Sequence, residues 1–171
     1  MDSYHLGVFF ALGRFEPVEH QVGGKGYPSL RFVAKFRDRS VLEEMKEVIG
    51  AGCISPYVTN KGNESFRLQA EAGEAVNALQ EELEGYGWNP RRSGKPRWPS
   101  PEPSDTLSFA LGYIRCHSSM HRGRMRVHGP KDIMEGIAVA IGAGVVHTNN
   151  TSYRLDLCVE DSRRIEEEME R

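Results

Sequence analysis

Two stretches of this chain repeat the same pattern, and this duplication limits its possible folds more than any other feature. Residues 49–52 read IGAG and are followed by SFRLQ at 65–69. Residues 141–144 read IGAG again and are followed by SYRLD at 152–156. Each copy also begins with an apolar segment rich in small residues, which predicts a helix that is buried nearly all round. A duplicated half of this kind predicts a molecule with approximate twofold symmetry.

Local patterns predict the same order of elements in both halves. The apolar helix is followed by two antiparallel hairpins, and a helix follows each hairpin. In the first half the predicted elements are helix 4–13, strands 15–22 and 30–36, helix 41–49, strands 53–58 and 65–70, and helix 71–86. In the second half they are helix 107–118, a short hairpin leading into strand 124–128, helix 130–141, strands 145–148 and 152–159, and helix 161–170. This order predicts an α+β fold of two pseudo-symmetric αββαββα half-domains with antiparallel sheets.

The second helix of the first half has recognisable start and stop signals. Ser40 is expected to cap its N-terminus, and Glu43, three residues further on, would complete a capping box. The glycines of each IGAG segment come after a helix, so they are expected to end it. Glycines that bind phosphate precede their helix, which argues against a phosphate loop here.

A proline- and arginine-rich segment divides the chain. The first repeat is predicted over 1–88 and the second over 105–171, and residues 89–104 between them are expected to form an extended, fairly stiff linker. No apolar run approaches the roughly 20 residues of a membrane helix, and no secretory signal precedes the first helix. The three cysteines lack CxxC spacing, which argues against a disulfide framework or a zinc site. We expect an intracellular protein, cytoplasmic or inside an organelle, that is not secreted and does not contact a membrane.

The net charge is only −2, but the bases concentrate on predicted strands and the acids on predicted helices. In strand 30–36, Leu30, Phe32, Ala34 and Phe36 alternate with Arg31, Val33, Lys35 and Arg37, which predicts a half-buried strand with a basic open face. Arg67 and Arg154 occupy equivalent positions of the two repeats. The candidate nucleic-acid-binding residues are Arg31, Lys35, Arg37, Arg67, Gln69, Arg122, Arg124, Arg126, His128 and Arg154. Val33 and the acids Glu16 and Asp156 reduce the positive charge expected of these faces.

The duplicated order, with an apolar helix opening each half, resembles the LAGLIDADG homing endonucleases in their single-chain, two-repeat form. The resemblance covers nearly the whole chain. It implies that the two opening helices pack along a pseudo-twofold axis, where small residues four apart let the backbones come close: Gly7 and Ala11 in one helix, Gly112 and Cys116 in the other. It also implies saddle-shaped sheets that lie in the major groove of duplex DNA, where Arg and Gln read base edges and Lys contacts phosphate.

The same resemblance implies an acid at the end of each opening helix, followed by glycine. In the family these acids hold divalent cations that activate water between the scissile phosphates. Alignment of the two helices places Leu12 and His117 at the acid positions, and the following glycine is kept as Gly13 but replaced by Ser118. Leucine cannot bind a metal, and a single histidine is a poor ligand set for Mg²⁺. We therefore expect no catalytic residue, no metal and no other cofactor.

These observations predict a monomeric, LAGLIDADG-like protein that binds duplex DNA without cutting it. Three alternatives remain open. The first is an active homing endonuclease that makes a double-strand cut with Mg²⁺ held by relocated acids. The second is a maturase-like intron-splicing factor that binds structured RNA, and the third is a protein-interaction module.

Overall fold

The computed structural model describes residues 1–22, 25–88, 97–149 and 152–170. It confirms the predicted order of elements, αββαββα twice. The first set is α1 (Ser3–Leu12), β1 (Gly13–Val22), β2 (Lys25–Phe36), α2 (Arg39–Ile49), β3 (Cys53–Val58), β4 (Glu64–Ala70) and α3 (Glu74–Gly85). The second set is α4 (Thr106–His117), β5 (Ser118–His121), β6 (Arg124–Gly129), α5 (Lys131–Ile141), β7 (Val145–Asn149), β8 (Ser152–Asp156) and α6 (Val159–Met169). The tip of the first hairpin at 23–24 and linker residues 89–96 lie outside the described residues.

The described residues form two compact units, each built around one four-stranded antiparallel sheet. The N-sheet unit comprises residues 12–85 and contains the sheet β1-β2-β4-β3. The C-sheet unit comprises residues 1–11, 86–88 and 97–170 and contains the sheet β5-β6-β8-β7. Helix α1 up to Ala11 therefore belongs to the C-sheet unit, together with α4. None of the described helices is long and apolar enough to cross a membrane.

The two sheets have the same strand register. In the N-sheet, Ala34 pairs with Gly13 on one side and with Leu68 on the other. In the C-sheet, Val127 pairs in the same way with Ser118 and Leu155. Each position at the centre of one sheet therefore has a counterpart in the other, and the repeat visible in the sequence extends to individual residue pairs.

One face of each sheet is covered by helices. In the N-sheet unit, α2 packs against β2 and β4, and the strand residues Phe32, Ala34 and Leu68 are fully buried. In the C-sheet unit, α5 and α6 pack against β6, and Met125 and Val127 are buried. Burial of these apolar side chains is the main source of stability in each unit. The opposite face of each sheet carries most of the charged strand residues.

The start of α2 differs from the prediction. Asp38 is the N-cap residue rather than Ser40, and its carboxylate accepts hydrogen bonds from the Ser40 amide at 3.0 Å and the Ser40 hydroxyl at 2.8 Å. Glu43 does not complete a capping box but pairs with Arg39 Nε at 2.8 Å, one helical turn earlier. The ends of α2 and α5 agree with the prediction, because the first glycine of each IGAG segment adopts the left-handed conformation, with φ of 74° and 65°.

Candidate nucleic-acid interface and helix seam

Helices α1 and α4 pack with their backbones in direct contact, both within the C-sheet unit. A Cβ added to Gly7 would lie 3.0 Å from the carbonyl carbon of Phe109, and closer still to its oxygen. A Cβ added to Gly112 would lie 3.0 Å from the carbonyl carbon of Tyr4. Phe109 and Tyr4 each precede a glycine of this pair by three residues, so the two contacts are reciprocal. The pair of helices, which we call the seam, therefore has approximate twofold symmetry, and only glycine fits at these two points.

The C-terminal end of α1 is held by His117. The Nε2 atom of His117 lies 2.8 Å from the carbonyl oxygen of Ala11 and must donate this hydrogen bond, since a carbonyl can only accept. Ala11 is in the last turn of α1, where carbonyls lack a partner within the helix. The imidazole also stacks on Tyr113, with 5.1 Å between ring centroids. His117 thus contributes to packing and to the helix end, and its neighbour Cys116 is buried.

The residues at the two family acid positions do not fit a divalent cation. Leu12 has no donor atom, and His117 uses Nε2 for the Ala11 carbonyl. Among the described residues, no three His, Cys, Asp or Glu side chains form a group that could hold a metal ion. Glu16, the acid nearest the end of α1, lies in β1 and pairs there with Arg31.

The open face of the N-sheet is basic around one acid. Glu16 Oε2 accepts hydrogen bonds from Arg31 Nε and Nη2 at 3.2 and 3.1 Å, and Arg67 Nη2 lies 3.6 Å from the same oxygen. Lys35 is directly opposite Arg67 in the strand register. The prediction of a half-buried β2 is wrong at Val33, which shares this face yet is completely buried.

The open face of the C-sheet has the same plan around Asp156. Arg154 holds the carboxylate side-on, with Nη2 donating to Oδ2 at 2.8 Å and Nε 2.7 Å from Oδ1. Arg126 Nε lies 3.7 Å from Oδ1, and His147 Nε2 lies 4.0 Å from Oδ2. His128 lies directly opposite Arg154 in the register. One acid in each sheet therefore fixes two arginines on the open face.

Two of the predicted interface residues, Arg37 and Arg122, do not lie on a strand face. Arg37 lies beyond the end of β2, in the bend before α2, and Arg122 lies in the β5–β6 turn with φ of 52°. Neither shares the strand face with the other bases, because both strands end before reaching them. Gln69 is on the N-sheet face, opposite Val33, and its amide nitrogen donates to Glu71.

The register adds two residues that the sequence patterns missed. Arg14 is exposed on β1 directly opposite Val33, and so belongs to the open face of the N-sheet. His147 on β7 is directly opposite Arg154 and belongs to the open face of the C-sheet. Neither residue stands in an alternating basic run, so only the pairing of strands reveals its position.

No family model matches the sequence, and no curated protein matches it. Several solved structures match the fold. The meganuclease I-SmaMI bound to uncleavable DNA aligns with a TM-score of 0.67 and 12% identity over 98% of this chain and 84% of that chain. The LAGLIDADG meganuclease I-AabMI bound to uncleaved DNA aligns with a TM-score of 0.64 and 10% identity, over 99% of this chain and 84% of that chain. I-DmoI in complex with DNA and Mn aligns with a TM-score of 0.59 and 14% identity, over 95% of this chain and 91% of that chain. These matches confirm the resemblance in fold: the chain has the architecture of the LAGLIDADG meganucleases.

Proposed function

We propose that this chain binds duplex DNA through the open faces of its two sheets and does not cleave it. The observation that carries the proposal is the repeated plan of these faces, in which one acid holds two arginines beside further bases. Three meganucleases with this fold are known in complexes with DNA. Of the residues in these two networks, Arg67 and Arg154 occupy equivalent positions of the two sheets, whereas the acid that holds each of them lies on a different strand, Glu16 on β1 and Asp156 on β8.

The chemistry of the arginines suits a nucleic acid. A guanidinium presents five donors in a rigid plane, which matches both phosphate oxygens and the acceptor edge of guanine. The carboxylates of Glu16 and Asp156 restrict the arginines next to them, so less side-chain entropy is lost on binding. Lys35, with its ammonium 5.2 Å from the centre of the Tyr57 ring, supplies a point charge for phosphate.

We propose the absence of cleavage because the side chains at the two family acid positions are poor ligands for a divalent cation. Phosphodiester hydrolysis in metal-dependent nucleases relies on cations held by oxygen ligands on both sides of the scissile bonds. Leu12 offers no ligand, and the His117 nitrogen is committed to a backbone carbonyl. A plasmid cleavage assay with Mg²⁺ and with Mn²⁺ tests this part, and any double-strand product would refute it.

Binding is tested with Arg67→Ala and Arg126→Ala, each assayed on a random-sequence duplex over a series of salt concentrations. Each substitution should weaken binding, and removal of a phosphate contact by Arg67→Ala should lower the slope of log K against log[salt] by about 1. Arg163→Ala is the matched control, because Arg163 is exposed on α6, which packs on the opposite face of the C-sheet.

Unchanged affinity in both sheet variants would refute binding through the open faces. Structured RNA that competes better than duplex DNA would favour the maturase-like alternative. If binding to both nucleic acids is absent and salt has no effect, the interaction-module alternative is favoured.

A further inference from the structure

We infer that Asp156 is a positioning residue that holds Arg126 for readout of a guanine by the C-sheet. This inference rests on the proposed function, since it names one base pair of the duplex that the C-sheet face would recognise. It concerns one pair of side chains, directly opposite each other on β8 and β6.

The fold itself does not require a charged pair at this place. In the N-sheet, the counterpart of Arg126 and Asp156 is the pair Val33 and Gln69, which has the same register and no charge. An apolar residue beside an amide is thus compatible with the same sheet. The acid and the arginine of the C-sheet therefore need a reason other than strand pairing.

The charged network also carries an energetic disadvantage. Asp156 is only 26% exposed, and its Oδ1 atom and Arg154 Nε are buried. Although these atoms are 2.7 Å apart, neither makes a hydrogen bond of good geometry. Partly buried ion pairs are often no more stable than apolar residues of similar size. We therefore explain this network on an open face by the arginine donors that it presents to a ligand, and not by a contribution to the stability of the fold.

The geometry of the network leaves Arg126 available to a ligand. Arg154 contacts the carboxylate with both Nε and Nη2, whereas the nearest atom of Arg126 is Nε, at 3.7 Å. Within the described part of the chain, no side-chain hydrogen bond engages Arg126, and its side chain is 34% exposed. Because the guanidinium is rigid, restraint at Nε also orients the two terminal nitrogens. Two parallel donors match O6 and N7 of guanine in the major groove.

A simpler role for Asp156 would be to lower the positive charge of the face. Both roles predict that Asp156→Asn, which removes one negative charge, strengthens binding to random-sequence DNA. Only the positioning role predicts a loss of base preference, because the neutral amide attracts Arg126 less. The two roles are therefore separated by sequence preference and not by affinity.

The experiment selects bound sequences from a randomised duplex library with the wild-type protein, Arg126→Lys, Asp156→Asn and Asp156→Glu. Wild type should enrich a guanine at one position of the site. Arg126→Lys and Asp156→Asn should lower that preference roughly tenfold, within the range for loss of a bidentate contact. Asp156→Glu should restore part of it. Glu16→Gln is the matched control, since it removes one acid from the N-sheet face and should leave this guanine preferred.

A second readout replaces the selected guanine by 7-deazaguanine, which lacks the N7 acceptor. Wild type should bind the modified duplex several-fold more weakly, and Arg126→Lys should not discriminate, so the test remains valid even if Asp156→Asn fails to fold. The inference would be overturned if the Asp156→Asn protein folds and still prefers the guanine. It would also be overturned if the wild-type protein binds the 7-deazaguanine duplex as tightly as the unmodified one. If wild type binds no duplex at all, the proposed function itself fails.

Discussion

Alanine in place of either seam glycine should lower the melting temperature by several degrees. A Cβ at Gly7 would lie 3.0 Å from both the carbonyl carbon of Phe109 and the amide nitrogen of Tyr113, inside the 3.4 Å at which ordinary contact begins. All of these neighbours are backbone atoms, which cannot rotate away as a side chain would. The substitution therefore requires the two helices to separate.

The expected magnitude follows from known costs of overpacking. An extra methyl group in a tightly packed interior destabilises by about 1–3 kcal/mol. For a chain of this size, 1 kcal/mol corresponds to roughly 2–4 °C, so a mid-range cost of about 2 kcal/mol predicts a fall of about 4–8 °C. Gly112→Ala should have a similar effect, because its Cβ would meet the Tyr4 carbonyl in the reciprocal geometry. The double variant should cost less than the sum, since one separation of the helices relieves both contacts.

The measurement is thermal unfolding followed by circular dichroism, with Gly85→Ala as the matched control. Gly85 ends α3, has no atom within 4 Å of an added Cβ and does not have a left-handed φ. Alanine there should leave the melting temperature unchanged or raise it slightly, because alanine loses less conformational entropy than glycine. If Gly7→Ala and Gly112→Ala melt like Gly85→Ala, the close approach of the seam backbones is wrong.

Two further predictions concern the same helices. Burial, with smaller contributions from the charges of Cys116 and Asp132, raises the pKa of Tyr113 above its ordinary value. Because the pKa of Tyr113 is raised in the folded state, its contribution to stability is intact below the unfolded pKa of about 10 and is lost as the pH rises above that value. Tyr113→Phe cannot ionise, so it should lose less stability at alkaline pH than the wild type. The measurement is the free energy of unfolding in urea as a function of pH. His117→Asp removes the hydrogen-bond donor to the Ala11 carbonyl and should lower the free energy of unfolding by about 1–3 kcal/mol. Unchanged stability of His117→Asp in the same urea unfolding experiment would mean that this hydrogen bond does not hold the end of α1.

The order of elements was predictable because it depends on local signals. Alternation of period two, apolar helices and the glycines after α2 and α5 each act within a few residues, and the duplication allowed every signal to be checked twice. The predictions that failed involve competition between neighbouring residues. Asp38 and Ser40 can both cap a helix, and the sequence does not decide between them. Once Asp38 takes that role, β2 ends at Phe36 and Arg37 is excluded from the strand face.

The ion pairs of the open faces were beyond prediction from the sequence. Glu16 and Arg31 are 15 residues apart, and Asp156 and Arg126 are 30 apart, so each pair depends on the register between strands. A shift of one residue would move every side chain to the opposite face. The sequence indicated that acids and bases share these faces, but it could not indicate that each acid holds two arginines.

The residues of the seam include those that the packing of this fold requires but not those that cleavage would require. Close packing of α1 and α4 needs glycine at both contact points, and both glycines are present. A pair of carboxylates would be needed only to hold metal, and here His117 instead donates a hydrogen bond to the last turn of α1. An acid in its place could not donate that bond, and its negative charge would lie near carbonyls at the negative end of the helix dipole. Histidine thus makes a hydrogen bond at the seam that a carboxylate could not make, which supports the proposal that DNA binding, rather than cutting, is the function of this chain.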